Sequence, residues 1–83
     1  MLMGQVVGNI VSTRKFESIV GSKILEIKII ENGKETDKYI IAVDNGIGAG
    51  IGERVLVTTG SSARMALNNV NTPIDAIVVG IID

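Results

Sequence analysis

The chain contains no cysteine and no histidine, one proline, and only two aromatic residues, Phe16 and Tyr39. Without cysteine no disulfide can brace the fold, and without cysteine or histidine a structural zinc site loses its usual ligands. A serine nucleophile needs an activating base, most often histidine, so acyl transfer is not expected and neither is enzymatic activity of any other kind. Positive charge is not in excess either: 8 Lys and Arg stand against 9 Asp and Glu, a formal net charge of -1. That balance argues against a nucleic-acid partner, which calls for a basic surface. No apolar run approaches the roughly 20 residues that cross a bilayer. The start, Met1-Leu2-Met3-Gly4-Gln5, lacks the basic residues that open a signal peptide, so no membrane partner and a cytoplasmic location are expected.

What is present is aliphatic. Hydrophobic residues make up 46% of the 83 positions, and isoleucine and valine together number 24. β-Branched side chains fit a pleated, half-buried surface better than a helix, so the expected class is all-β. A chain of this length forms one domain, residues 1–83, and buries only about 60 to 65% of the surface its unfolded form exposes. With disulfides and zinc excluded, self-association is the remaining way to reinforce so small a core, and the surplus of apolar residues points the same way.

Turn residues divide the chain into five short strands. Val6–Val11 is the first, with Gly8 placed where a strand bulges or bends. Lys23–Glu31 is the second, with Leu25, Ile27 and Ile29 on one face and Ile24, Glu26, Lys28 and Ile30 on the other. Asn32-Gly33 predicts a tight hairpin, with the third strand, Lys38–Val43, as its return. Arg54–Thr59 and Ala76–Ile82 are the fourth and fifth. Ahead of the last strand, Ser61 or Ser62 is placed to cap a short helix through Ala63-Arg64-Met65-Ala66-Leu67, which Asn68 and Asn69 end. Closing such strands into a barrel removes the exposed edges that invite aggregation.

Two segments invite a chemical reading. Gly46, Gly48, Gly50 and Gly52 alternate through Asp44–Glu53, yet neither G-x-G-x-x-G nor G-x-x-x-x-G-K-S/T is present, and a strand rather than a helix follows. A tight connection that permits close backbone approach, including approach to another subunit, accounts for the glycines. Gly60-Ser61-Ser62-Ala63-Arg64 offers two hydroxyls and a guanidinium, for which helix capping is the simpler reading than an anion site or nucleophile. Asp44, Glu53, Asp75 and Asp83 are dispersed and near strand ends, where solvated carboxylates are ordinary, so neither a metal site nor a cofactor is expected. Arg14-Lys15, in the loop after the first strand, suits either solvent or an edge contact with a neighbouring acidic or carbonyl-rich surface.

The order of these segments resembles the EutN/CcmL family of bacterial microcompartment and carboxysome vertex proteins. The resemblance runs through Val11-Ser12-Thr13-Arg14-Lys15, Gly21-Ser22-Lys23-Ile24-Leu25, Ala42-Val43-Asp44, Gly48-Ala49-Gly50-Ile51-Gly52-Glu53, Gly60-Ser61-Ser62-Ala63-Arg64, Pro73-Ile74-Asp75 and Gly80-Ile81-Ile82-Asp83. It implies a small five-stranded OB-like barrel. It further implies a homopentamer that closes the corners of an icosahedral shell built mainly from hexameric shell proteins.

Carried onto this chain, the resemblance places Gly48, Ala49, Gly50, Gly52 and Glu53, with Ser61, Ser62, Ala63 and Arg64, near subunit contacts around the central axis. Arg14 and Lys15 fall at the outer edge against other shell proteins. Glu53 and Arg64 are the candidates for polar contacts that fix the ring's register, and Ala49→Trp is expected to harm the ring more than the isolated fold. The chain departs from the family pattern in having three residues, Asn45-Gly46-Ile47, between the strand-ending aspartate and Gly-Ala-Gly, so Gly46 reads as an insertion. Two alternatives belong to other classes: an OB-type module for single-stranded nucleic acid, and a small enzyme or ligand carrier built on the glycine segment.

Overall fold

The computed structural model describes residues 1–10, 22–60, 63 and 75–83. Five strands follow in chain order: β1 (Leu2–Ile10), β2 (Lys23–Glu31), β3 (Lys34–Asp44), β4 (Arg54–Thr59) and β5 (Ala76–Ile82). They close into a barrel in the order β1-β2-β3-β5-β4, with β4 returning to β1. The all-β class and the five-stranded barrel expected from the sequence are both found. Of the short helix expected before the last strand, only Ala63 is described, and it is helical; Arg64 to Leu67 lie outside the described residues.

Period-two alternation builds the wall. Val6, Leu25, Ile27, Ala42, Val55, Val57, Ala76 and Val78 turn inward from all five strands, and Ala49 joins them from the connection after β3. Leu25, Ile27, Val6, Val55, Val57 and Val78 have essentially no contact with solvent. Each such aliphatic side chain contributes about 1.5 to 3 kcal/mol on burial. Both faces of β2 near its end are buried, since Ile29 and Ile30 are 7% and 5% exposed. The β2–β3 register shifts between Lys28 and Ile30, which displaces the simple alternation read from the sequence.

Two strands are longer than their apolar runs. β1 begins at Leu2 rather than Val6, because Leu2 to Gln5 pair with Val57 to Arg54 of β4 on one side, while Met3 to Gln5 pair with β2 on the other. Gly4 lies in the middle of this doubly paired stretch. A Cβ there would meet Ile27 Cγ2 and lie 2.9 Å from the Lys28 carbonyl oxygen, so the absent side chain is what allows β1 to pack on β2. β3 begins at Lys34 rather than Lys38, because Asn32 and Gly33, at φ 53° and 76°, reverse the chain within two residues and pairing resumes at once with Glu31↔Lys34. The bend expected at Gly8 is found as a register shift between Val6 and Gly8.

The seam between β3 and β5 is the slightest. It is parallel, and its register comprises Val43↔Ile77. The chain that follows β3 is the glycine segment, which adds Ala49 to the core.

Candidate functional site

β3 ends on Asp44, whose side chain is 2% exposed. A buried carboxylate is tolerable only when donors replace the water it has lost, and the following backbone supplies them. Ile47 N–H and Gly48 N–H donate to Asp44 Oδ1 at 2.8 and 3.2 Å, and Ala49 N–H donates to Oδ2 at 2.7 Å. Winding consecutive amides around one side chain demands conformations in which glycine is at ease, and Gly46 and Gly48 sit at φ 94° and 85°. The aspartate and the glycines thus form one device.

A second carboxylate continues it. Gly50 N–H donates to Glu53 Oε1 at 2.7 Å, and Glu53 N–H donates back to the Gly50 carbonyl at 3.1 Å. Gly52 N–H donates to the Val6 carbonyl at 2.8 Å, and Val6 N–H to the Glu53 carbonyl at 2.9 Å, which joins the loop to β1. Side chains add three further ties: Lys23 Nζ to the Ala49 carbonyl at 3.2 Å, Gln5 Nε2 to the Gly52 carbonyl at 3.1 Å, and Ser22 Oγ to Asn45 Oδ1 at 3.2 Å. From Ile47 to Glu53, every amide except that of Ile51 donates inside the molecule. A phosphate-binding loop works by aiming such amides at its ligand. Here the protein's own carboxylates and carbonyls occupy them, and the loop is closed to an anion.

Two readings of individual residues need correction. Asp44 is not a solvated strand-end carboxylate, because the loop folds over it. Nor would Ala49→Trp spare the isolated fold as expected, because Ala49 is 1% exposed and belongs to the barrel's own core. The outer surface of the loop is instead carried by Ile47 and Ile51, 40% and 64% exposed, which the sequence reading passes over. Asp directly before a glycine-rich turn is a recognised signal for a side chain that bonds the backbone ahead of it, and it was available in Asp44-Asn45-Gly46.

Elsewhere the site is described only in part. Gly60 N–H donates to the Asp75 carbonyl at 2.7 Å, and Ala63 N–H to the Gly60 carbonyl at 3.1 Å, so the two ends of the segment before β5 are tied together. Ala63 is fully buried. Ser61, Ser62, Arg64, Arg14 and Lys15 lie outside the described residues. So does Ser12, which stands three residues before Lys15 in a serine–lysine spacing that a sequence reading excluding every activating base overlooks. Among the described residues no three acidic side chains gather as metal ligands. Tyr39, 54% exposed, carries Lys28 Nζ at 5.9 Å from its ring centre, so one aromatic face is already covered by a cation of the same chain.

A family model described as "Ethanolamine utilisation protein EutN/carboxysome" matches residues 1–83. A carboxysome shell vertex protein of a Nostoc species is 45% identical over 84 aligned positions, covering 100% of this chain and 83% of the relative. A solved ethanolamine utilization protein, EutN, superposes with a TM-score of 0.93 at 39% identity, covering 100% of this chain and 86% of that one. The pentameric microcompartment shell protein GrpN from Rhodospirillum rubrum superposes with a TM-score of 0.86 at 42% identity, covering 100% of this chain and 94% of that one.

Proposed function

Because the chain belongs to the EutN/CcmL family, we propose that it is a structural shell protein, a homopentamer that closes the five-fold vertices of an icosahedral bacterial microcompartment. The observation that carries this is the likeness to a pentameric shell protein at 42% identity over the whole chain. The role is geometric and needs no catalysis. A flat sheet of hexagonal tiles cannot close on itself, and pentagons supply the missing curvature. A cyclic ring of head-to-tail contacts forms a pentagon when the rotation between neighbours closes after five steps. Shape is therefore encoded in the angle at one repeated contact.

In this reading Gly48, Ala49, Gly50, Gly52 and Glu53 border the subunit contact together with Ser61, Ser62, Ala63 and Arg64, and Arg14 and Lys15 face the hexameric shell proteins. The rigidity of the loop supports it, since a contact that sets an angle must be held still. The core residue Ala49 takes part through its backbone. Glu53, already accepting from Gly50, has one oxygen engaged in its own loop. The nucleic-acid alternative gains nothing: the loop amides from Ile47 to Glu53, that of Ile51 apart, are occupied, and Tyr39 alone among the described residues offers an aromatic face.

The test is native mass together with shell closure. Analytical ultracentrifugation or native mass spectrometry is expected to show five copies, and shells assembled with the chain are expected to close into polyhedra. A monomer or dimer at working concentration, or closed shells of normal shape after its deletion, overturns the proposal.

A further inference from the structure

We propose that Asp44 is the positioning residue of the subunit contact. Its buried carboxylate holds the 45–52 loop in the shape that a second copy of this chain recognises, and Ile47 and Ile51 are the side chains presented. The inference rests on the pentamer reading above and adds to it the residue that makes the contact precise.

Three observations lead there. Asp44 is the one charged side chain among the buried residues described, at 2% exposure, and a charge is costly to bury without a purpose that an apolar residue would not serve. Its two oxygens take three amides of the loop and none from the strands, so its bonding shapes the loop rather than the barrel wall. The loop so held displays two β-branched hydrocarbons to solvent, Ile47 at 40% and Ile51 at 64% exposure, on a backbone whose amides from Ile47 to Glu53 are spent but for that of Ile51. A surface of that kind recognises by shape and apolar contact, and its worth depends on not moving, because ordering a loose loop at the moment of contact would subtract from affinity. Gly46, at φ 94° and exposed, lies within the span that Asp44 encircles, between the carboxylate's own residue and the amides of Ile47 to Ala49 that it holds.

The experiment compares three variants of the full chain with the unaltered one: Asp44→Asn, Gly48→Ala and Ile51→Ser. Each is read by ring dissociation constant in sedimentation at 25 °C and by circular dichroism of the barrel. Asp44→Asn keeps size and shape but replaces one acceptor with a donor that faces loop amides. Gly48→Ala strains the loop at φ 85° where an added methyl would meet nothing. Ile51→Ser removes only the exposed hydrocarbon. All three are expected to raise the dissociation constant tenfold or more while the strand signal persists. If Ile51→Ser weakens the ring and Asp44→Asn does not, the positioning role of Asp44 is overturned and the loop contact stands. If Asp44→Asn fails to fold, Gly48→Ala decides, and an unchanged ring overturns the role. Unchanged rings in all three variants remove the loop from the contact altogether. A monomeric wild-type chain overturns the pentamer reading and this one with it.

Discussion

Two connections in this barrel are built from the same residue types and behave oppositely. The Glu31–Lys38 end of the β2–β3 hairpin and the Asp44–Glu53 loop both contain acids, glycine and asparagine. In the hairpin the charges face water: Glu31 and Lys38 meet at 3.2 Å with side chains 53% and 71% exposed, and Lys28 approaches Glu35 at 3.9 Å. The chain reverses there because Asn32 and Gly33 accept positive φ, and the strand ladder resumes at once. In the loop the turn is made around the carboxylate of Asp44, which takes three consecutive amides before pairing with β1 resumes at Gly52 and Glu53. A charge thus contributes to structure in proportion to the backbone it organises and the water it excludes, and its presence alone decides little.

Substitutions can break that contrast at either end. The largest effect is expected for Ala49→Trp. The methyl group already lies in the packed core, so an indole cannot be housed there without moving the barrel wall, at a cost above about 3 kcal/mol. For a domain this small that is a large part of total stability. Urea denaturation should show little or no folded barrel at 25 °C, and a cooperative transition with an unchanged midpoint would mean that Ala49 is not where the core places it. Next comes Asp44→Ala, which orphans the amides of Ile47, Gly48 and Ala49. Partial entry of water limits the loss to about 2 to 4 kcal/mol, seen as a lower denaturation midpoint. Gly33→Ala should cost only about 1 kcal/mol, the strain of a side chain at φ 76°, because a Cβ at Gly33 would touch nothing.

How much of this was legible beforehand follows the same division. The five strands were readable because each carries an apolar run bounded by turn residues, and the hairpin was readable because Asn-Gly has one dominant use. The true start of β1 was not, since Leu2 to Gln5 are strand only because β2 and β4 flank them, a relation between residues about 25 and about 50 positions apart. The depth of Asp44 was hidden for a similar reason. Its charge suggested solvent, and only the fold reveals that the loop returns over it. The depth of Ala49 was hidden in the same step, because a small residue among glycines gives no sign that its methyl also fills the barrel. Family likeness supplied the pentamer, which no strand pattern contains.

The smallest expected effect tests the hairpin's side of the comparison. Lys38→Ala deletes the ammonium that meets Glu31, but both partners are more than half exposed, and water replaces each as soon as it is freed. Screening by salt and the entropy of two long side chains leave such pairs with little net value. The Lys38 amide still donates to Thr36 Oγ1 at 3.2 Å, and Thr36 Oγ1 still donates to the Ile29 carbonyl at 2.7 Å, so the local backbone keeps its own ties. Stability should fall by less than about 0.5 kcal/mol, and raising the salt concentration should shrink even that difference. A loss as large as that of Asp44→Ala in the same denaturation assay would mean that exposed charge, rather than enclosed backbone, holds this barrel's connections.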